Sequence, residues 1–212
     1  MIKLQIAMDV LEPEALIKLF KEIKDWVDIV ELGTPYLLRH GANIIRRIKE
    51  ISTNTEILCD AKVIDAGFYE AEELFKAGAD YVTVLAVADN ATLADAVQAA
   101  KKYNGKVVAD MICVKDFPEK VKELEKAGVD YLAVHTGVDE QAQGRTPLDD
   151  LKELKNISSI KTAVAGGISS ETLDDYLKEN PDIIIIGGGI LKAENPVTET
   201  QNLYNRIKNF KI

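Results

Sequence analysis

Short runs of apolar residues, rich in valine and isoleucine, alternate with longer amphipathic stretches from one end of the chain to the other. Runs that show little polar alternation are typical of parallel strands covered on both faces. The stretches between them carry apolar residues at helical spacing, as in Leu16, Leu19 and Ile23. The pattern therefore predicts eight βα units, with strands at residues 2–9, 27–32, 56–61, 80–86, 106–112, 130–135, 160–165 and 182–186.

The sequence also repeats itself. The segment KAGADYVTV at 76–84 returns as KAGVDYLAV at 126–134, a shift of 50 residues. An aspartate opens each even-numbered predicted strand, at spacings of 52, 50 and 52 residues: Asp28, Asp80, Asp130 and Asp182. Because two βα units fill one period, four such double units account for all eight predicted strands.

We therefore expect an α/β protein, a single (β/α)8 TIM barrel that occupies residues 1–212 as one domain. The chain is long enough for two domains of about 100 residues. No linker, low-complexity stretch or change of composition divides it, however. A doubly wound open sheet is the alternative architecture. Its strand order reverses once, so an even fourfold repeat favours the closed barrel.

Proline placement supports the division of the chain into eight βα units. The prolines that fall where a predicted helix begins are Pro13, Pro35, Pro118, Pro147 and Pro196. The fixed φ of proline suits the first helical position, and a preceding threonine or asparagine can cap the helix. Thr34, Thr146 and Asn195 are therefore predicted N-caps.

The charge narrows the range of partners. The chain has 26 basic and 35 acidic residues and a formal net charge of −9. This negative field opposes binding to nucleic acid or to an anionic membrane surface. No apolar run reaches the roughly 18 residues of a membrane span, and the first residues do not form a secretory signal. We expect a cytoplasmic protein in which Cys59 and Cys113 are buried reduced thiols.

Ionisable side chains gather at the predicted carboxyl ends of the strands, where a parallel barrel has its active face. They are Asp9, Glu31, Asp60, Lys62 and Asp110, with Asp65 in the loop just beyond Lys62. Strand alternation predicts that Asp60 and Lys62 share a face. Clustered carboxylates raise one another's pKa unless a cation neutralises them, and oxygen ligands suit Mg²⁺. Taken singly, Asp9 also fits a helix cap, and Asp60 with Lys62 fits a structural ion pair.

One histidine belongs to the same set. His135 ends predicted strand 6 within VHTGVD, and its imidazole could transfer a proton near neutral pH. Without the neighbouring acids, a structural histidine would be the ordinary interpretation. His40 has no such neighbours in the sequence and is assigned to the surface.

Glycine runs follow the last two predicted strands. Gly166 and Gly167 come after strand 7, and Gly187 and Gly188 come after strand 8. Either run alone is a common turn. Together, at the two positions where many barrels hold phosphate through backbone amides, they predict a phosphorylated substrate. Neutral amides also explain how an acidic protein binds an anion.

These segments resemble the orotidine-monophosphate decarboxylase superfamily and, within it, the 3-hexulose-6-phosphate synthase family, over essentially the whole chain. The segments are IAMD at 6–9, VELGTP at 30–35, DAKVIDAG at 60–67, VHTGVDEQAQG at 134–144, AVAGGI at 163–168 and IIGGGI at 185–190. The related 3-keto-L-gulonate-6-phosphate decarboxylases typically carry HRSRD where this chain has HTGVD, and usually an arginine at the position of Gly188. Both differences favour the synthase family.

The resemblance implies an aldol condensation of formaldehyde with D-ribulose 5-phosphate through an enediolate, giving D-arabino-3-hexulose 6-phosphate. Mg²⁺ is the implied cofactor, with Mn²⁺ as the alternative. Glu31 and Asp60 would bind the metal, and Lys62 would stabilise the enediolate. His135 is the candidate base for the C1 proton of ribulose 5-phosphate, and Asp110 is the next candidate.

The resemblance also implies which residues bind the substrate and that a second subunit contributes to the active site. Asp9 would bind a substrate hydroxyl, and the glycine pairs at 166–167 and 187–188 would receive the phosphate. Asp65 would reach the active site of the other subunit, so a homodimer with shared active sites is the expected functional unit.

Other functions remain open at this point. A 3-keto-L-gulonate-6-phosphate decarboxylase would form a similar enediolate by losing CO2. Orotidine-monophosphate decarboxylation is less favoured. That reaction uses no metal, whereas the acids Glu31 and Asp110 suggest that this chain binds one. A ribulose-phosphate epimerase normally needs two metal-binding histidines at strand ends, and this chain offers one. A non-catalytic phosphate-ligand-binding barrel is the alternative from a different class.

Overall fold

Eight parallel strands pair in chain order and close into a barrel in the computed structural model, which describes residues 1–137 and 146–210. The last strand pairs with the first, so the sheet has no free edge. This confirms the predicted (β/α)8 TIM barrel and excludes the open sheet. The strands are Lys3–Ala7 (β1), Ile29–Leu32 (β2), Glu56–Val63 (β3), Tyr81–Leu85 (β4), Lys106–Asp110 (β5), Tyr131–His135 (β6), Lys161–Ala165 (β7) and Ile183–Ile186 (β8).

All eight predicted strands are present, and only their ends differ. β1 ends at Ala7, so Asp9 lies in the loop after the strand and does not close it. β3 continues to Val63 and is irregular. Cys59 pairs with Val82 and Val63 pairs with Val84, so residues 60–62 of β3 all lie opposite Thr83. Such a bulge is rare in a parallel pair, and sequence periodicity does not reveal it.

Helices follow most strands and surround the barrel. Asn195 caps the last helix as predicted, because its Oδ1 accepts the backbone N–H groups of Val197 and Thr198, each at 3.1 Å. The other two cap predictions are wrong. Thr34 is itself helical and donates its hydroxyl to Asp60, and the helix after Thr146 has no side-chain cap. The helices are Pro13–Ile23 (α1), Thr34–His40 (α2), Ile44–Ile51 (α3), Gly67–Ala77 (α4), Asn90–Tyr103 (α5), Phe117–Ala127 (α6), Leu148–Ile157 (α7), Leu173–Lys178 (α8), Gly188–Leu191 (α9) and Pro196–Asn209 (α10).

Strand alternation divides the buried side chains between two layers. One layer packs the outer strand faces against the helices, and the other fills the barrel interior. The interior cluster is Ile29, Leu58, Tyr81, Val108, Tyr131, Ala133, Ala163 and Ile183. Glu31, Asp60, Asp110 and His135 each stand two residues beyond a member of that cluster on the same strand. The apolar interior therefore ends where these polar side chains begin, at the carboxyl ends of the strands.

The repeated aspartates fasten neighbouring strands at the opposite, amino-terminal end of the barrel. Each carboxylate accepts a backbone N–H from the preceding odd-numbered strand, at 2.7 to 2.9 Å. The backbone N–H of each aspartate donates to the carbonyl of the same residue of that strand. The pairs are Asp28 with Leu4, Asp80 with Ile57, Asp130 with Val107 and Asp182 with Thr162. The 50-residue repeat thus has a structural cause unrelated to catalysis.

Replacing Asp130 with alanine should lower the free energy of unfolding by about 1–3 kcal/mol, because the Val107 amide loses its acceptor. Asp149→Ala is the matched control, since that aspartate has a 92% exposed side chain. Surface substitutions of this kind change stability by about 0.5 kcal/mol or less. Urea denaturation of both variants measures the difference. Equal midpoints for the two variants would contradict this structural role.

Cys59 is buried as predicted, but Cys113 is exposed. The prediction for Cys113 is wrong because β5 ends at Asp110, which leaves Cys113 in the following turn with a φ of 66°. Across residues 1–137 and 146–210, no helix is long and apolar enough to cross a membrane.

Candidate active site

The carboxyl ends of β1, β2, β3, β5 and β6 bring most of the predicted site residues into one cluster. Its members are Asp9, Glu31, Asp60, Lys62, Asp110 and His135. Parallel strands end at the same rim of a closed barrel, so residues that lie far apart in the sequence meet there. We call this set the rim cluster.

Lys62 joins two of the carboxylates. Its Nζ lies 2.5 Å from Oδ2 of Asp60 and 3.2 Å from Oδ2 of Asp110. Burial alone would lower the pKa of the Lys62 ammonium, but the charges of Asp60 and Asp110 outweigh it and raise that pKa. Lys62 is therefore a fixed positive charge and is unsuited to act as a neutral base or a Schiff-base nucleophile.

Asp110 orients His135. Nδ1 of His135 lies 3.1 Å from Oδ2 of Asp110, and the backbone N–H of Ile112 donates to Oδ1 at 3.0 Å. Burial alone would raise the pKa of Asp110, but the hydrogen bond from His135 and the charge of Lys62 lower it. An ionised carboxylate can only accept, so Nδ1 carries the proton and Nε2 of the neutral ring is left to accept one.

Glu31 is a buried acid of the rim cluster. Its pKa is raised from 4.5 to about 8, first by burial and then by the charges of Asp60 and Asp9. Nε2 of Gln5 donates to Oε2 of Glu31 at 2.5 Å and opposes this increase. Burial and the charge of Asp60 also raise the pKa of Asp9. The rim cluster thus has more negative charge than Lys62 can balance.

Asp60 is held by neighbours that the sequence reading missed. Thr83 donates to its Oδ1 at 2.8 Å, and Thr34 donates to its Oδ2 at 3.0 Å. Gln5, which donates to Glu31, was missed in the same way as Thr83. The two residues are respectively 1% and 5% exposed. Both are polar residues at inward-facing strand positions, and that placement is the signal that could have identified them.

Gly33 leaves room for Asp9. A Cβ on Gly33 would stand 1.6 Å from Oδ1 of Asp9, which no side chain could tolerate without displacing the carboxylate. The glycine of the VELGTP segment is therefore required by the position of Asp9 at the rim.

Asp65 does not join the rim cluster within its own chain. Its side chain is exposed in the β3–α4 loop and accepts the Ala66 backbone N–H at 2.7 Å. His40, assigned to the surface, is half-buried against the ring of Tyr36, with 4.9 Å between ring centroids. Val138 and Asp139, the end of the HTGVD segment, lie outside the described residues.

The two glycine pairs lie side by side, after the adjacent strands β7 and β8. Gly166 and Gly167 have φ values of 125° and 67°, which L-residues rarely adopt. Gly188 begins α9, and the Nζ of Lys192 lies 3.9 Å from where its Cβ would stand. Lys192 therefore adds a cation beside the glycine pairs, and sequence reasoning missed it because it lies one helical turn downstream.

No three His, Cys, Asp or Glu side chains are placed to hold a metal ion by themselves within residues 1–137 and 146–210. The donor set nevertheless fits Mg²⁺, which is usually bound by one or two carboxylates and keeps waters and substrate oxygens as its other ligands. The buried Glu31 and its neighbour Asp60 offer two such carboxylates, and their mutual repulsion favours a divalent cation.

Comparison with known proteins extends these observations. The sequence model of the orotidine 5′-phosphate decarboxylase / HUMPS family matches residues 2–203. A 3-hexulose-6-phosphate synthase of Staphylococcus haemolyticus is 42% identical over 207 residues, covering 97% of this chain and 99% of that protein. The crystal structure of the 3-hexulose-6-phosphate synthase from Salmonella typhimurium is 46% identical, with a TM-score of 0.95, and the match covers 98% of this chain and 99% of that one. The 3-keto-L-gulonate-6-phosphate decarboxylase from Vibrio cholerae is 25% identical, with a TM-score of 0.85, over 100% of this chain and 99% of that one.

Proposed function

The chain belongs to the orotidine 5′-phosphate decarboxylase / HUMPS family, and we propose that it catalyses the reaction of a 3-hexulose-6-phosphate synthase. In this reaction formaldehyde and D-ribulose 5-phosphate condense to D-arabino-3-hexulose 6-phosphate. The observation that carries the proposal is Lys62, an ammonium held between Asp60 and Asp110 at the rim of the barrel. A fixed positive charge in a partly dehydrated site stabilises an enediolate where its charge develops. The near full-length similarity to two proteins of that name favours the synthase over other enediolate chemistry.

Proton transfer starts the proposed reaction. Nε2 of His135 takes a proton from C1 of ribulose 5-phosphate, and the electrons of the broken C–H bond form the enediolate. C1 then attacks the carbon of formaldehyde, and the formaldehyde oxygen takes the proton back from His135. Asp110 keeps the ring oriented throughout and stabilises its positive charge. The sequence is balanced and needs no oxidant, reductant or Schiff base.

Other residues bind and orient the substrate. Glu31 and Asp60 would hold Mg²⁺, or Mn²⁺ as the alternative, and the bound ion would supply positive charge beside the enediolate oxygens. Asp9 would bind a substrate hydroxyl. The glycine pairs at 166–167 and 187–188 would receive the phosphate through backbone amides, with Lys192 as an added cation.

One assay separates the proposed function from its alternatives. Purified protein is incubated with Mg²⁺, ribulose 5-phosphate and formaldehyde, and the hexulose phosphate is quantified. A second incubation with 3-keto-L-gulonate 6-phosphate measures CO2 release. Hexulose phosphate as the dominant product supports the synthase. CO2 release without hexulose phosphate would assign the decarboxylase, and inactivity in both assays would favour a non-catalytic phosphate-binding barrel.

Replacing His135 with alanine should slow the exchange of the C1 proton of ribulose 5-phosphate with solvent deuterium by about 10²–10⁴-fold. Exchange is followed by proton NMR without formaldehyde, so it reports enediolate formation alone. His40→Ala is the control, since that ring packs on Tyr36 and not in the rim cluster. Unchanged exchange in His135→Ala would move the role of base to Asp110.

We also propose a homodimer in which Asp65 completes the site of the partner subunit. Large apolar side chains are exposed in the same part of the barrel, among them Val10, Ile64 and Tyr69. Contact with a second copy would cover them and bring the exposed Asp65 to the partner's rim cluster.

Mixing two inactive variants tests this arrangement. Asp65→Ala and Lys62→Ala chains, unfolded and refolded together in equal amounts, should recover about a quarter of wild-type activity. Half of the dimers are then mixed, and each mixed dimer has one intact site. Sedimentation confirms the dimer in each sample. No recovery from a verified mixed dimer would contradict a shared site.

A further inference from the structure

A single threonine hydroxyl connects the two central residues of the rim cluster. Oγ1 of Thr83 accepts the backbone N–H of Lys62 at 3.0 Å and donates to Oδ1 of Asp60 at 2.8 Å. The hydroxyl thus uses both its donor and its acceptor on the same short segment of β3. Thr83 is 5% exposed, so water does not readily replace either hydrogen bond.

The backbone of β3 explains why this hydroxyl is needed. Residues 60–62 lie opposite one residue of β4, Thr83, so the regular ladder is interrupted there. Lys62 adopts a φ of 49°, in the left-handed region that residues other than glycine rarely occupy. Its amide bonds to the side chain of Thr83, which stands in for a backbone acceptor of the neighbouring strand.

The bulge determines where the charged groups point. It places the Nζ of Lys62 between the carboxylates of Asp60 and Asp110, at 2.5 Å and 3.2 Å. A change in either the Lys62 backbone or the Asp60 rotamer would break this geometry. The hydroxyl of Thr83 bonds to both the Lys62 backbone and the Asp60 carboxylate.

We propose that Thr83 is a positioning residue that fixes the Lys62 backbone and the Asp60 carboxylate together. Thr83 touches no reacting atom and acts through these two residues. Its effect on turnover rests on the proposed function, whereas its effect on the Lys62 amide does not. Groups that orient active-site ligands in this way typically change activity or metal affinity by about 10–100-fold.

The test compares Thr83→Val, which keeps the shape and removes the hydroxyl, with Thr83→Ser, which keeps the hydroxyl. We expect kcat to fall about 10–100-fold in Thr83→Val and less than about threefold in Thr83→Ser. KM for ribulose 5-phosphate should change little, because the glycine pairs follow β7 and β8 and lie away from Thr83 on β4. Mn²⁺ binding, followed by electron paramagnetic resonance, should weaken in the valine variant only.

Thr162→Val is the matched control. Thr162 is also a strand threonine, 2% exposed, and within the described residues its hydroxyl has no hydrogen-bond partner. Removing that hydroxyl should leave kcat and Mn²⁺ affinity unchanged. The comparison separates the loss of a buried hydroxyl from the loss of this particular one.

Hydrogen exchange of the Lys62 amide gives a readout independent of activity. The amide should exchange slowly in the wild type and in Thr83→Ser, and faster in Thr83→Val. Fast exchange in the wild type, equal losses in the serine and valine variants, or an unaltered valine variant would each overturn the proposal. If the wild type lacks synthase activity, the proposed function fails and amide exchange still decides the role of Thr83. If Thr83→Val does not fold, wild-type exchange and the serine variant decide it.

Discussion

Replacing Lys62 with alanine should reduce kcat for hexulose phosphate formation by about a hundredfold to a thousandfold, the usual effect of removing a group that stabilises an oxyanion. The ammonium faces two carboxylates, at 2.5 Å and 3.2 Å, and provides the positive charge that the rim cluster otherwise lacks. KM for ribulose 5-phosphate should change less, because the proposed phosphate contacts lie in the segments that follow β7 and β8. Steady-state kinetics with both substrates separate the two parameters.

Lys106→Ala is the matched control for this prediction. Lys106 also lies on a barrel strand and pairs with a carboxylate, Glu56 at 3.2 Å, but it lies at the amino-terminal end of the barrel. Its loss should leave kcat within about twofold, since a partly exposed ion pair contributes about 0–1 kcal/mol to stability. Equal losses of kcat in the two variants would show that Lys62 acts through stability and not through the enediolate.

The barrel itself was predictable from the sequence because its periodicities are local. Apolar runs marked the strands to within two residues. The fourfold spacing of aspartates such as Asp80 and Asp130 reflects a hydrogen bond that recurs between strand pairs. Each repeat makes the same contact, so the sequence repeats with it.

The residues of the candidate site were predictable from the sequence, but the hydrogen bonds that link them were not. Asp60 and Lys62 do contact each other, as alternation suggested, yet the strand between them is bulged and Lys62 has a φ of 49°. Thr34 was expected to cap its helix and instead donates to Asp60, because a hydroxyl can bond to a nearer carboxylate when the fold brings one close. Such choices depend on contacts between strands distant in the sequence.

Cys113 and Gln5 show what the pattern of a single strand does not predict. Cys113 was expected to be buried because it follows an apolar strand, but the strand ends three residues earlier and the thiol is exposed. Gln5 reads as an isolated polar residue in β1, and only the closed barrel brings its amide to Glu31. A single strand pattern indicates which face a residue occupies and does not identify its partner across the barrel.

Chelation with EDTA should abolish turnover, and Mg²⁺ should restore it. Four acids, Asp9, Glu31, Asp60 and Asp110, lie near one ammonium, Lys62, among the described residues, and Lys62 pairs with two of them, Asp60 and Asp110. Without a cation, a substrate enediolate would bring further negative charge to this rim and be repelled. The measurement is synthase activity after exhaustive chelation and after Mg²⁺ is added back. Full activity after chelation would rule out metal-binding roles for Glu31 and Asp60.

Metal binding should also release a proton near neutral pH. The pKa of Glu31 is raised from 4.5 to about 8, so its carboxyl is mostly protonated at pH 7 in the metal-free protein. Mg²⁺ binds the carboxylate form, so its apparent affinity should fall as pH drops below about 8. Calorimetric titration in buffers with different ionisation enthalpies counts the released protons. The Glu31→Gln variant, which cannot ionise there, should release fewer.

The same carboxyl should make the metal-free protein less stable as pH rises. The folded state binds a proton that the unfolded chain has lost, so between the unfolded pKa of 4.5 and the folded pKa of about 8 the free energy of unfolding decreases with pH. Glu31→Gln removes this contribution and should flatten the decrease. Mg²⁺ should restore wild-type stability most strongly above pH 8, where Glu31 is ionised, and should have little effect on Glu31→Gln. Thermal unfolding of both proteins from pH 5 to 9, with and without Mg²⁺, checks each expectation. A steeper loss in Glu31→Gln than in the wild type would contradict the assignment of this buried carboxyl.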